Sequence, residues 1–211
     1  MATSPNNPLD IVNMALGYIG EAPVRSIESP TRDIERAAAR YYHATRRYAL
    51  TLSLWNFAKT QATIARTGDG IDFTSTYQLP NNMITFVSVG GENEYEFIDE
   101  YDVRGDQLHY NSDANSVVIR YVQDVEDITK WAPGFVMVVA RLLALEMAYL
   151  LTKKDSVIKT NDALLRTALA DAIAKDGSER APIRIEESRA LAVRRRLVGG
   201  WLDDPTRIVF D

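Results

Sequence analysis

Residues 49–66 read ALTLSLWNFAKTQATIAR, and two periodicities meet inside them. Up to Leu52 the pattern is helical. From Ala58 it changes to a period of two, with Ala58, Thr60, Ala62 and Ile64 alternating against Lys59, Gln61, Thr63 and Ala65. Neither glycine nor proline separates the two segments, so a helix is expected to run straight into a strand. Trp55 and Phe57 fall at the junction and are expected to fill the seam between a helical body and a sheet, each contributing about 1.5–3 kcal/mol if fully buried.

Working back from the junction, a helix is expected to begin near Thr31. At 100° per residue, Ile34, Ala37, Ala38, Tyr41, Thr45, Tyr48 and Leu52 share one face, with Arg32, Arg36, Arg40, His43, Arg46 and Arg47 opposite. The basic face reads either as a solvated surface, with Arg32–Glu35 and Asp33–Arg36 pairs worth about 0.2–0.5 kcal/mol each, or as a docking surface for an acidic partner. Further back, Asn7-Pro8 followed by Leu9, Val12, Leu16 and Ile19 predicts a capped helix that stops at Gly20.

Downstream, TYQL, MITFVSV, YEFI, QLHY and SVVIRYVQ are short, rich in β-branched and aromatic residues, and separated by Gly, Asn and Asp clusters. They predict an antiparallel sheet or small sandwich. This stretch is acidic: from Gly68 to Asp127 thirteen carboxylates, among them Glu92, Glu94, Glu96, Asp99, Glu100 and Asp102, face only Arg104 and Arg120. The remaining chain carries 22 basic and 16 acidic residues. The split is read either as two regions with different neighbours or as a solvated acidic surface.

Helical period returns at Pro133 with PGFVMVVARLLALEMAYLLTK, apolar almost all round and interrupted by Arg141 and Glu146. Two charges near the middle of a span would cost about 2.5–3.5 kcal/mol each in a membrane, so a buried core helix is expected instead. Another helix is expected from Val157 to Lys175, with Val157, Leu164, Leu165, Ala168 and Ala172 on one side. Beyond it come Arg194, Arg195 and Arg196, the Gly199-Gly200 break, Trp201, and Ile208, Val209 and Phe210. Such apolar residues in a terminal segment read as anchors for a groove or an edge strand, or as packing on this chain's own body.

The expected fold class is therefore α+β: a helical bundle over 1–56 and 128–180, an inserted antiparallel β-sheet or small sandwich over 57–127, and an extended C-terminal tail over 181–211. The opening MATSPNNPLD lacks the basic and apolar regions of a signal peptide, and the 211 residues include no cysteine, so folding in a reducing cytoplasm is expected.

The sequence carries no recognisable catalytic or metal-binding motif. His43 and His109 are the only histidines, and neither has a neighbour at metal-ligand spacing. YEFIDEYD lacks the glycine-centred calcium loop of an EF-hand. No phosphate-cradling glycine loop or nucleophile elbow is present. No cofactor, metal or catalytic residue is expected, although abundant carboxylates leave a hydrolytic pair open.

Four segments in order, IVNMALGYIGEAPVRSI, WNFAKTQATI, YQLPNNMITFVSV and YVQDVEDITKWAPGFVMVVARLLALEMAYLLT, resemble the tail tubular protein A or head-to-tail adaptor family of short-tailed bacteriophages. The likeness runs from about Leu9 to Lys175. Asn81 and Asn82 stand where the family often has an aspartate after Leu-Pro. The resemblance implies a non-enzymatic virion protein, made in the host cytoplasm, that forms a homo-oligomeric ring, usually dodecameric. Such a ring joins the portal protein to the tail tube or nozzle and passes double-stranded DNA without binding it specifically, with no membrane involved. The likeness does not reach the tail beyond Arg180; from its residues alone the basic triplet, Trp201 and the last apolar residues are expected to dock on the portal, and from the charge split the acidic insertion is expected to line or rim the channel. The rival readings are a tail completion factor, and a nucleic-acid-binding regulator that uses the Arg face and basic tail.

Overall fold

The computed structural model describes residues 5–90, 100–152 and 154–179. The chain divides after Ser178, and the unit up to that point holds four helices and a curled six-stranded antiparallel sheet, a mixed α+β fold.

Helix α1, Pro8–Ile19, begins where the Asn7 Oδ1 accepts the Asp10 N–H at 2.9 Å, and it ends at Gly20, whose φ of 77° is the left-handed geometry a glycine adopts without strain. The following connector folds back onto α1. The Asn13 side chain donates to the Val24 carbonyl and accepts the Val24 N–H, which fixes buried Val24.

Helix α2, Asp33–Thr51, starts on Glu35. One carboxylate oxygen accepts the N–H groups of Thr31 and Arg32 at 2.8 and 3.1 Å, and the other accepts Arg32 Nε at 3.0 Å. Those bonds, first the one from the Arg32 N–H, hold the carboxyl at about 2. A depressed acid stabilises the fold above its unfolded pKa and loses that effect as pH falls through the folded value. The Glu35 contribution is thus complete above the ordinary carboxylate range near ~4.3 and disappears toward pH 2. Thermal melts of Glu35→Gln from neutral pH to pH 2 are expected to start lower and to fall less steeply in acid than the parent; parallel curves would contradict this assignment.

The inward face of α2 is not the one its apolar residues mark. Ala38, Tyr42, Thr45, Arg46, Ala49 and Leu50 are buried, whereas Tyr48 is 56% exposed. The helix is turned by about one residue's rotation from the expected orientation. Alanines and tyrosines set a weak preference, and the ion pairs of Arg46 described below set the stronger one.

The junction also differs. Leu52–Ala58 is not a direct run from helix to strand but a compact loop, closed where the Ala58 and Lys59 N–H groups donate to the Trp55 carbonyl at 3.0 Å. Strand β1, Lys59–Asp69, then begins one residue later than the alternation suggests.

The strands β2, Ser75–Gln78, β3, Met83–Val89, β4, Tyr101–Arg104, β5, Gln107–Tyr110, and β6, Ser116–Gln123, complete a sheet in the order β3-β6-β1-β2-β5-β4. Long β1 pairs with β6 through its first half and with β2 through its second, with a register shift between Arg66 and Gly68 where it turns from one to the other. The curl brings the edge strands close enough for Phe86 of β3 and Tyr101 of β4 to meet at 5.0 Å. The expected strand YEFI, 95–98, lies outside the described residues, and β4 follows it. Ile64, Tyr77, Leu108, Ile119 and Tyr121 form the sheet's own core.

A short 3-10 turn, Ile128–Lys130, leads into α3, Pro133–Leu151. By length and a mean hydropathy of 1.9 this helix could cross a membrane; here it is the central helix, packed against α1, α2 and the last helix, α4, Asp155–Ser178. Its two interior charges are accommodated at the surface: the Arg141 guanidinium sits 4.3 Å above the Tyr18 ring, and Glu146 is exposed. A Cβ on Gly134 would stand 2.9 Å from that of Ala172, so glycine is what lets α3 and α4 approach. On α4 the buried line is Asn161, Leu165, Ala172 and Asp176, and Leu164, expected inside, is 44% exposed. Two polar residues take that side because each has a backbone partner: Asn161 donates to the Tyr18 carbonyl, and Asp176 accepts the Asn56 N–H.

Candidate docking surfaces

The five arginines expected to form one basic face of α2 are not equivalent. Arg32 is tied to Glu35 at 3.0 Å and Arg36 to Asp33 at 2.7 Å, both within the first turn. Arg46 points inward, its side chain only 4% exposed, and its Nη2 donates to Asp124 at 2.8 Å and to Glu126 at 3.0 Å. Arg47 holds the other oxygen of Asp124 at 2.9 Å. Only Arg40 is exposed and without an ion pair among the described residues. Arg46 therefore leaves the expected surface and becomes an internal joint, because two carboxylates on the segment between β6 and α3 neutralise it where burial would otherwise be costly. Its guanidinium in turn holds the Glu126 carboxyl below the usual range.

Beside this joint lies Tyr42, whose hydroxyl is buried and has no hydrogen-bond partner among the described residues; burial pushes its pKa up to about 12, with Arg46 acting in the opposite direction.

Trp55 and Phe57 sit where α2 ends and α3 begins. Trp55 is fully buried, donates its indole N–H to the Ala49 carbonyl at 2.9 Å, and packs edge-on against Phe135 at 5.1 Å. Phe57 and Trp131 meet the same Phe135 ring at 4.9 and 5.0 Å. Ala58 and Val122, at the near ends of β1 and β6, belong to the same core. Asp176, near the end of α4, accepts the Asn56 N–H with both oxygens, at 3.0 and 3.2 Å, so the loop between helix and strand is held from a third element.

Of the expected acidic rim, Glu100 is exposed and Asp102 is paired with Arg104 at 2.7 Å; Arg104 also reaches Asp72 at 3.1 Å. Glu92, Glu94, Glu96 and Asp99 lie outside the described residues. So do all the expected tail anchors, Arg194, Arg195, Arg196, Trp201, Ile208, Val209 and Phe210.

Two concavities flank α2. A groove of about 230 Å³ between α2 and α3 is lined by Tyr41, Ala44, Thr45, Tyr48, Leu142 and Glu146. A cleft of about 450 Å³ on the other flank lies among the start of α1, the connector at Arg25–Glu28, and Ala39, Tyr42 and His43 of α2. The groove is not legible in the sequence, because the helical pattern puts Tyr41 and Tyr48 on the apolar face expected to be buried. The only signal for it was Glu146, a charge interrupting an apolar helix.

As for chemistry, His43 is exposed, and His109 stands in β5 opposite Thr76 and Asp102. Among the described residues no group of three or more His, Asp or Glu side chains is placed to hold a metal ion. No protein-family model matches this chain, and no curated protein matches it at a significant level.

Proposed function

We propose that this chain is a structural head-to-tail adaptor of a short-tailed bacteriophage. Copies form a ring, on the family pattern a dodecamer, between the portal and the tail tube or nozzle, and the ring continues the DNA channel into the tail. The reading rests on one observation, the ordered likeness of four segments from about Leu9 to Lys175 to that family. It includes the finer architecture expected from the sequence: a helical body, an inserted acidic sheet, and a tail over 181–211 that docks on the portal.

The charge division supports it. A channel that neutralised phosphates would trap the DNA passing through it, so an acidic sheet suits the lumen or its rim, and the net-basic remainder suits attachment. A ring also needs two different complementary faces on each copy, and the two flanks of α2 differ in shape and charge. The reading of α2 as a nucleic-acid-binding helix is weakened, since four of its five arginines are engaged with carboxylates.

Native mass measurement of the protein alone and then mixed with portal protein tests the proposal. Ring-sized species, at least in the mixture, are the expected result. A chain that stays monomeric in both samples, or that binds duplex DNA with a steep salt dependence, would overturn it.

A further inference from the structure

The groove between α2 and α3 contains an unused pair of features. Glu146 is exposed and has no ion-pair partner among the described residues, and it shares the groove with Tyr41 and Tyr48. Aromatic rings beside a free carboxylate favour a cation, and a planar guanidinium best of all, since it stacks on a ring while donating to the acid. The groove, about 230 Å³, offers room for one long side chain. Ala44, the small lining residue between the tyrosines, leaves the groove open.

A matching cation stands on the opposite flank. Arg25 is exposed and also has no ion-pair partner among the described residues. It follows Val24, which is buried and bound through both backbone groups by Asn13, so Arg25 is presented from a fixed backbone. The groove lies on the side of α2 marked by Tyr41, Ala44 and Tyr48, while the cleft that includes Arg25 lies on the side marked by Ala39 and His43. At 100° per residue these two sets are about half a turn apart.

We infer that Arg25 of one copy enters the Tyr41–Tyr48–Glu146 groove of the next copy. The inference rests on the ring reading and names its contact. Arg25 and the groove are different patches on opposite flanks of α2, so the same contact can repeat from copy to copy. The contact runs head to tail and leaves one Arg25 and one groove for the following neighbour, which is what ring closure requires.

Charge reversal and crosslinking test it on the full-length chain. Arg25→Glu and Glu146→Arg are each expected to weaken association about 30-fold or more, as loss of one partner from a close interfacial charge pair does. The combined variant Arg25→Glu/Glu146→Arg is expected to recover most of that loss, which a general folding defect would not do. The chain has no cysteine, so Ser26→Cys and Ala44→Cys, each beside one partner of the pair, provide unique labels. A short bis-maleimide is expected to join the two variants when they are mixed, and neither one to itself. Copies that assemble normally with either charge reversed, or that crosslink only like to like, would overturn this contact and leave the ring reading standing. If the unaltered protein does not assemble even with portal protein present, the ring reading fails and the contact falls with it.

Discussion

Trp55→Ala is expected to destabilise the fold by about 3–5 kcal/mol, the range for removing a large aromatic from a packed interior. Three losses coincide at this residue. The ring is fully buried against Phe135, whose ring also meets Phe57 and Trp131. The indole N–H bond to the Ala49 carbonyl disappears, although that carbonyl is near the helix end and can turn to water. The loop from Leu52 to Ala58, closed on the Trp55 carbonyl, loses the side chain that anchors it. Equilibrium unfolding in denaturant measures the effect. Trp55→Phe keeps most of the ring packing and should cost clearly less. Equal costs for the two variants would show that the hydrogen bond, not the ring, holds the junction.

Arg46→Met is the second large effect. Removing one partner from a buried ion pair costs about 3–5 kcal/mol, because the other charge stays in a low-dielectric site without its counter-ion. The value here should lie toward the lower end. Arg47 continues to hold Asp124 at 2.9 Å, and Glu126, at 74% exposure, retains its water. Replacing both charges, as in Arg46→Met/Asp124→Leu, is expected to recover much of the loss, since an apolar pair of similar volume needs no compensation. If the double variant is no more stable than Arg46→Met, the cost comes from lost packing of the arginine stem rather than from an uncompensated carboxylate.

These two sites differ in how far the sequence announced them. Trp55 is conspicuous, an aromatic at a change of period, and its place at a junction follows from that position alone. What could not be read was its partner. Phe135 is 80 positions along the chain, one apolar residue among many in a helix that is apolar all round. Arg46 was misread entirely. Its neighbours in sequence assign it to a basic face, and only Asp124 and Glu126, brought in by the return of β6, explain why it turns inward. The candidate contact surfaces follow the same pattern: Glu146 and Arg25 are visible as isolated charges, but the groove around one and the fixed loop under the other exist only once α2 has its true orientation.

Local signals were enough to determine the elements themselves. Alternation and turn residues mark the strands at Met83–Val89, Gln107–Tyr110 and Ser116–Gln123 without adjustment, and Asn7-Pro8, Gly20 and Pro133 mark helix ends, because capping, φ restriction and side-chain alternation act over a few residues. Tertiary structure alone decided that β6, last in the chain, lies between β3 and β1, which side of α2 faces inward, and which polar residues of α4 are buried. Those choices depend on pairings between residues 30 to 143 positions apart. Their free energy appears only when distant segments exclude water together, and no short window of sequence records it.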